Sequence, residues 1–185
     1  MNFFKIYVAE NDSAEIDAKF REGEESPIMP AWKGQKVTCD RIILKNYKKK
    51  GIFYDWMPGI SWAPYVKTYI KDRLEDKLGE WVQWVGPFQV EGHELYLLNC
   101  INVIDCAFPK SNHNNLLLNM DELKDQVIFR PKRFEKDLII TEWLKEEIET
   151  ARDTGIRFGK IREDGWMEHP YASLDAPPPV WKLEK

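Results

Sequence analysis

The 185 residues suffice for one domain with a substantial core and are too few for two of ordinary size. Hydrophobic residues make up 43% and charged residues 31%, a globular balance, while 8 Trp and 13% aromatics demand burial or display. The formal net charge of -4 speaks against a nucleic-acid binder, and no run approaches the roughly 20 apolar residues that span a bilayer.

Phe3 to Ala9 reads as a strand, with Phe4, Ile6 and Val8 on one face and Phe3 and Tyr7 on the other. This terminus is interrupted by Lys5 and closed by acids, without a signal-peptide core, so the expected location is the cytoplasm. The acidic segment from Glu10 to Pro30 reads as loop, with one helical turn around Ile16 and Phe20. Lys36 to Leu44 reads as a second strand. Lys45, Lys48, Lys49 and Lys50 around Tyr47 form the one basic strip, read as a solvated loop or edge-strand guard. Gly51 to Pro64 then combines turn-forming Gly and Pro with Trp56 and Trp62.

Tyr65 to Leu78 has helical spacing: Val66, Ile70, Leu74 and Leu78 recur on one face while Lys67, Lys71, Asp72 and Glu75 point away. Ser61 and Pro64 suit its first turn and Gly79 its stop. W-V-Q-W-V, Trp81 to Val85, alternates as a strand interrupted at Gly86-Pro87. Glu91-Gly92 turns it into the apolar run from Leu95 to Phe108, giving a central hairpin covered on both sides.

Pro109 to Asn115 reads as a polar loop, and Val127 to Arg130 and Leu138 to Ile140 as short strands. Thr141 caps a helix with Glu142 at its positive end; its apolar stripe is Trp143, Leu144, Ile148 and Ala151, and Gly155 stops it. Ile156, Phe158 and Ile161 form a last strand, so a helix-then-strand unit recurs in kind at residues 65–85 and 142–161. The expected architecture is one α+β domain over residues 1–163, with a mixed or mainly antiparallel sheet and two principal helices. Residues 164–185 form a Pro-rich tail, whose Pro177-Pro178-Pro179 favours an extended arm docking through Val180 and Trp181.

The chemical inventory assembles no site. His93, His113 and His169 have no ligand spacing, Cys39, Cys100 and Cys106 form no C-x-x-C pair, and no glycine-rich phosphate loop is present. Cys100 and Cys106 share parity but lie among Leu98, Ile104 and Phe108, as inert packing does. Asn99, Asn102 and Asp105, polar positions in an apolar run, must be hydrogen-bonded, exposed or committed to a site. Glu146, Glu147 and Glu149 read as a solvated helix face. No catalytic residue, metal or cofactor is assigned.

The order V-K-T-Y-I-K-D-R-L-E, E-L-Y-L-L-N-C-I-N-V-I-D-C, V-I-F-R, L-I-I-T-E-W-L-K-E-E-I-E and G-I-R-F resembles bacterial immunity proteins of polymorphic toxin systems. In those families a helix leads to a Y-x-L-N strand, a short I-F strand, an S/T-E-x-L-K helix and a G-x-x-F strand. The resemblance covers about residues 64–161, and Ser61-Trp62-Ala63-Pro64 replaces the usual Ser-Glu opening of the first helix. It implies a cytoplasmic protein that binds and occludes a cognate toxin without chemistry of its own. Nucleic-acid and membrane partners are not expected, and the oligomeric state is open. The acidic chain would complement a basic toxin. Tyr54, Asp55, Trp56 and Trp62 are the candidate partner-binding residues, with sealing of the core as the alternative. Two rivals stand beside this reading: a hydrolase reversing a toxin modification, with Asp105, His93 or Cys106 converging in one cleft, and a structural interaction module docking through the tail.

Overall fold

The alternating residues of the first strand are flanked on both sides by strands from the far end of the chain, so the N-terminus sits inside a sheet rather than at its edge. The computed structural model describes residues 2–8, 13–19, 26–38, 42–47, 50–59, 63–112, 115–162 and 165. In chain order its elements are β1 (Phe3–Val8), β2 (Ile16–Ala18), α1 (Met29–Trp32), β3 (Leu44–Asn46), β4 (Trp56–Met57), β5 (Tyr65–Lys67) and α2 (Thr68–Leu78). They continue with β6 (Val82–Val90), β7 (His93–Cys100), β8 (Val103–Ile104), β9 (Ile128–Pro131), β10 (Ile139–Thr141), α3 (Glu142–Thr150) and β11 (Ile156–Ile161). The result is one α+β domain with mostly antiparallel sheets. Among the described residues no helix is long and apolar enough to cross a membrane.

A five-stranded sheet has the order β11-β1-β10-β9-β8 and a four-stranded sheet the order β4-β5-β7-β6; β2 and β3 make a separate pair. Only β8 and β9 among these named pairs run parallel. Both β5 and β6 run antiparallel to β7 between them, so the strands joined by α2 are parallel to each other. The same holds for β10 and β11, joined by α3 around β1. An outer antiparallel strand completes each unit, β4 beside β5 and β9 beside β10. The recurring helix-then-strand unit is therefore one topology used twice. In the first unit the inserted strand follows through the Glu91-Gly92 turn; in the second it comes from the N-terminus.

In both units the strand runs straight into its helix, through extended Lys67 (φ -70°, ψ 155°) and Thr141 (φ -77°, ψ 163°). This corrects the expected helix start at Tyr65. Tyr65 and Val66 are both fully buried but enter different clusters on opposite sides of the four-stranded sheet, an alternation natural to a strand. Ile70, Leu74 and Leu78 keep the helical spacing and fill the shared core with Leu144 and Ile148 of α3.

That core also takes Phe4, Ile6, Ile128 and Ile140 from the larger sheet and Val66, Leu98 and Cys100 from the smaller one. The opposite face of the smaller sheet, with Tyr65, Leu95 and Leu97, is covered by Ile16, Ile28, Ala31 and Leu44. The opposite face of the larger sheet, with Phe3, Phe129 and Ile139, is covered by Cys106, Leu116 and Leu123. Coverage on both sides was the expectation for the apolar run, and β7 meets it through Leu97 and Leu98.

Other expectations change. The acidic segment holds a strand, β2, because Ile16 and Ala18 are buried under β3 and Tyr65. The second strand begins only at Leu44 and runs on to Asn46. Gly86-Pro87 does not interrupt the hairpin strand; β6 continues through a register shift between Val85 and Phe88. The apolar run breaks after Cys100, where Asn102 donates to Gln126 Oε1 at 2.8 Å and to the Ile128 carbonyl at 2.9 Å and redirects the chain into β8. Phe20, Cys39, Lys48, Lys49, Ser61, Trp62, His113, His169 and the tail from Trp166 lie outside the described residues.

Candidate functional site

The loop before β4 is held by its backbone and its acid. Asp55 accepts from the Thr154 N–H at 2.8 Å, the Thr154 hydroxyl at 2.6 Å, Lys67 Nζ at 3.1 Å and the Tyr69 hydroxyl. Burial alone would raise its pKa, but these donors outweigh it and hold the carboxyl below its ordinary range. For Tyr69 the effect reverses: burial and the neighbouring Asp55 push its phenol up.

Trp56 is 1% exposed. Its indole Nε1 donates to Asp153 Oδ2 at 3.0 Å and its backbone N–H to the Thr154 carbonyl at 3.0 Å. Arg73 on α2 closes the same carboxylate from the other side, with Nη1 3.0 Å from Asp153 Oδ1 and Nη2 on Oδ2. Gly155 completes the junction at φ +81°, where a Cβ would stand 2.2 Å from the Trp56 carbonyl oxygen and 2.6 Å from Tyr54 Cβ. Tyr54, Asp55 and Trp56 are thus brought together as a latch between β4, α2 and the turn linking α3 to β11. The Trp56 ring is a core group and not an exposed anchor, because its only polar atom is consumed by a buried carboxylate. Tyr54 is half-buried against the cluster beneath the smaller sheet.

The residues considered for chemistry fall apart. His93 stacks on Phe53 with centroids 4.2 Å apart at the hairpin turn, whereas Cys106 is buried in the cluster under the larger sheet. Burial pushes both Cys100 and Cys106 thiols up to about 11. Asp105 is exposed and pairs with Lys132 at 3.3 Å. Asn99 is fully buried and donates to the Gln35 carbonyl at 2.8 Å and to Gln83 Oε1 at 3.1 Å, fixing a loop to β7. Arg130, also fully buried, donates from Nε to the Cys100 carbonyl at 3.2 Å and from Nη1 to the Glu135 carbonyl. Asn99 and Asn102 of the apolar run therefore tie neighbouring segments to it, while Asp105 lies at the surface.

A different tryptophan reaches the surface. Trp143, placed by spacing in the buried stripe of α3, is 46% exposed, while Leu144 and Ile148 carry the buried face. Adjacent helical residues stand about 100° apart, and with Leu144 turned into the core Trp143 falls at the edge of the buried stripe. Trp143 instead lines a groove of about 350 Å³ with Asn2, residues 124–127, Thr141 and Glu142. Asn2 Nδ2 holds the Glu142 carboxylate at 3.0 and 3.1 Å. Lys124 is paired with Asp121 at 3.0 Å, and Asp125 and Glu142 add negative charge to the walls. The Thr141 hydroxyl makes no cap bond to α3 and has no partner among the described residues. The pairing of Trp143 with Leu144 at the stripe's edge was the one signal in the sequence that could have raised this site. No family model matches this chain, and no curated protein matches it.

Proposed function

We propose that this chain is a cytoplasmic immunity protein that binds a cognate bacterial toxin and neutralises it by occlusion, without catalysis. The observation that carries this reading is the position of the resembling segments: V-K-T-Y-I-K-D-R-L-E spans β5 and α2, E-L-Y-L-L-N-C lies in β7, V-I-F-R enters β9, I-I-T-E-W-L-K spans β10 and α3, and G-I-R-F opens β11. They take in β5, α2, β7, β9, β10, α3 and the start of β11, and leave β1, β4 and β6 of the two units outside the resemblance. Half-exposed aromatic residues such as Trp143, Tyr47 and Phe108 suit recognition of another protein.

The test is co-purification of the tagged chain with the product of the immediately upstream gene, together with growth rescue when that product is expressed. Stable binding with rescue supports occlusion. Rescue without a stable complex favours the hydrolase that reverses a toxin modification, and the absence of both binding and rescue overturns the reading.

A further inference from the structure

We propose that the groove between residues 124–127 and the first turn of α3 is a docking site for a basic segment of a protein partner, with Trp143 stacking on an arginine or lysine side chain. This deepens the immunity reading, and the identification of the partner as the toxin rests on it. The indole is half exposed on a helix whose neighbouring Leu144 and Ile148 are buried, so it is displayed at the border of the core without being needed to fill it. A tryptophan face attracts cations more strongly than any other side-chain ring.

The walls around that face carry the matching charge. Asp125 and Glu142 line the groove, and Asp121 and Glu122 stand on the adjoining single turn of 3-10 helix, Met120–Leu123. Lys124, the one cationic side chain in the lining, is ion-paired to Asp121 at 3.0 Å. Asn2 fixes the Glu142 carboxylate through its Nδ2, which leaves both carboxylate oxygens lone pairs for an incoming N–H. Val127 and the Trp143 ring supply apolar lining for the stem of a long basic side chain. With Asp121, Glu122, Asp125 and Glu142 against Lys124, an acidic partner would meet net repulsion here, so charge complementarity selects a basic one.

The experiment follows the indole N–H resonances of the isotope-labelled chain, with Trp143 assigned by its loss in Trp143→Phe. The probes are a capped Arg-Gly-Arg tripeptide and its citrulline analogue, which keeps the shape and removes the charge. The expected result is a saturable shift of the Trp143 resonance with the arginine peptide only, weakened by added salt and abolished in Asp125→Asn/Glu142→Gln, a variant whose dispersed spectrum shows that it remains folded. Equal shifts with the two peptides, or no Trp143 shift while other resonances move, overturn the proposal. With the upstream gene product, Trp143→Ala should weaken binding about ten-fold or more, as removal of a hot-spot residue does, at an unchanged thermal midpoint. Full affinity in Trp143→Ala overturns the groove while leaving the immunity reading standing, whereas failure of the unaltered chain to bind or rescue overturns that reading and leaves the groove to the peptide titration. Concentration-dependent dimerisation abolished by Trp143→Ala would assign the groove to a second copy and also overturn the proposal.

Discussion

Replacing Asp153 with alanine should loosen the junction of the two units, because one buried carboxylate holds both Trp56 and Arg73. Its side chain is 1% exposed, and that of Arg73 23%. The Trp56 indole N–H, buried at 1% residue exposure, would lose its acceptor on Asp153, which costs about 1–3 kcal/mol. Breaking a buried ion pair by removing one partner costs about 3–5 kcal/mol, and the partly exposed guanidinium can recover some of that from water. The two costs share one carboxylate and do not add, so the expected loss is about 3 kcal/mol, a large share of the roughly 5–15 kcal/mol that stabilises an ordinary domain. Urea unfolding followed by far-ultraviolet circular dichroism at neutral pH measures it, since eight tryptophans would confuse a fluorescence readout. Asp153→Asn keeps an acceptor for the indole and removes the charge, so it should lose about half as much. A loss below about 1 kcal/mol in Asp153→Ala, with the denaturant slope unchanged, would refute the latch, since surface substitutions cost that little.

Gly155→Ala should destabilise by well over the roughly 1 kcal/mol of an ordinary glycine replacement, since the added Cβ would meet the Trp56 carbonyl at a positive φ; an unfolding midpoint like that of the unaltered chain would contradict this. Asp55 and Asp17 should respond to acid with opposite signs. The depressed Asp55 pKa contributes stability that is complete above the unfolded value of about 3.9 and is lost as pH falls through the lower folded value, so Asp55→Asn destabilises at neutral pH and the deficit shrinks below about pH 4. Burial, with Glu15 adding to it against the Ala18 N–H, raises the Asp17 pKa; Asp17→Asn should therefore stabilise near neutrality, with the gain fading as pH falls to about 4. Thr141→Val should cost nothing or stabilise slightly in thermal unfolding, where loss of a working N-cap bond would cost about 1 kcal/mol. With Cys39 changed to serine, Cys100 and Cys106 should resist iodoacetamide at pH 8 until the chain unfolds; rapid native-state labelling of Cys106 would return a usable thiol to the hydrolase reading.

Local spacing in the sequence determined the elements whose residues meet one layer of neighbours. The alternation from Phe3 to Val8, the start of the hairpin arm from Val82 to Val85 and the four-residue recurrence of Ile70, Leu74 and Leu78 all appear as written in the chain. The break at Lys67, β2 within an acidic stretch and the central seat of β1 depend on strands far away in sequence, and no local period encodes them. The same limit governs the tryptophans. Hydrophobicity marks Trp56 and Trp143 alike as residues that avoid water, but it does not specify which finds a polar partner inside. Asp153, nearly a hundred residues along the chain, draws the Trp56 indole into the core, and the edge position of Trp143 leaves its ring over an acidic groove. Composition and periodicity therefore determined that much must be buried, and the secondary structure of the elements with a clear local period. Only the tertiary structure decided which aromatic surface remained exposed, because that choice rests on contacts between residues that spacing never brings together.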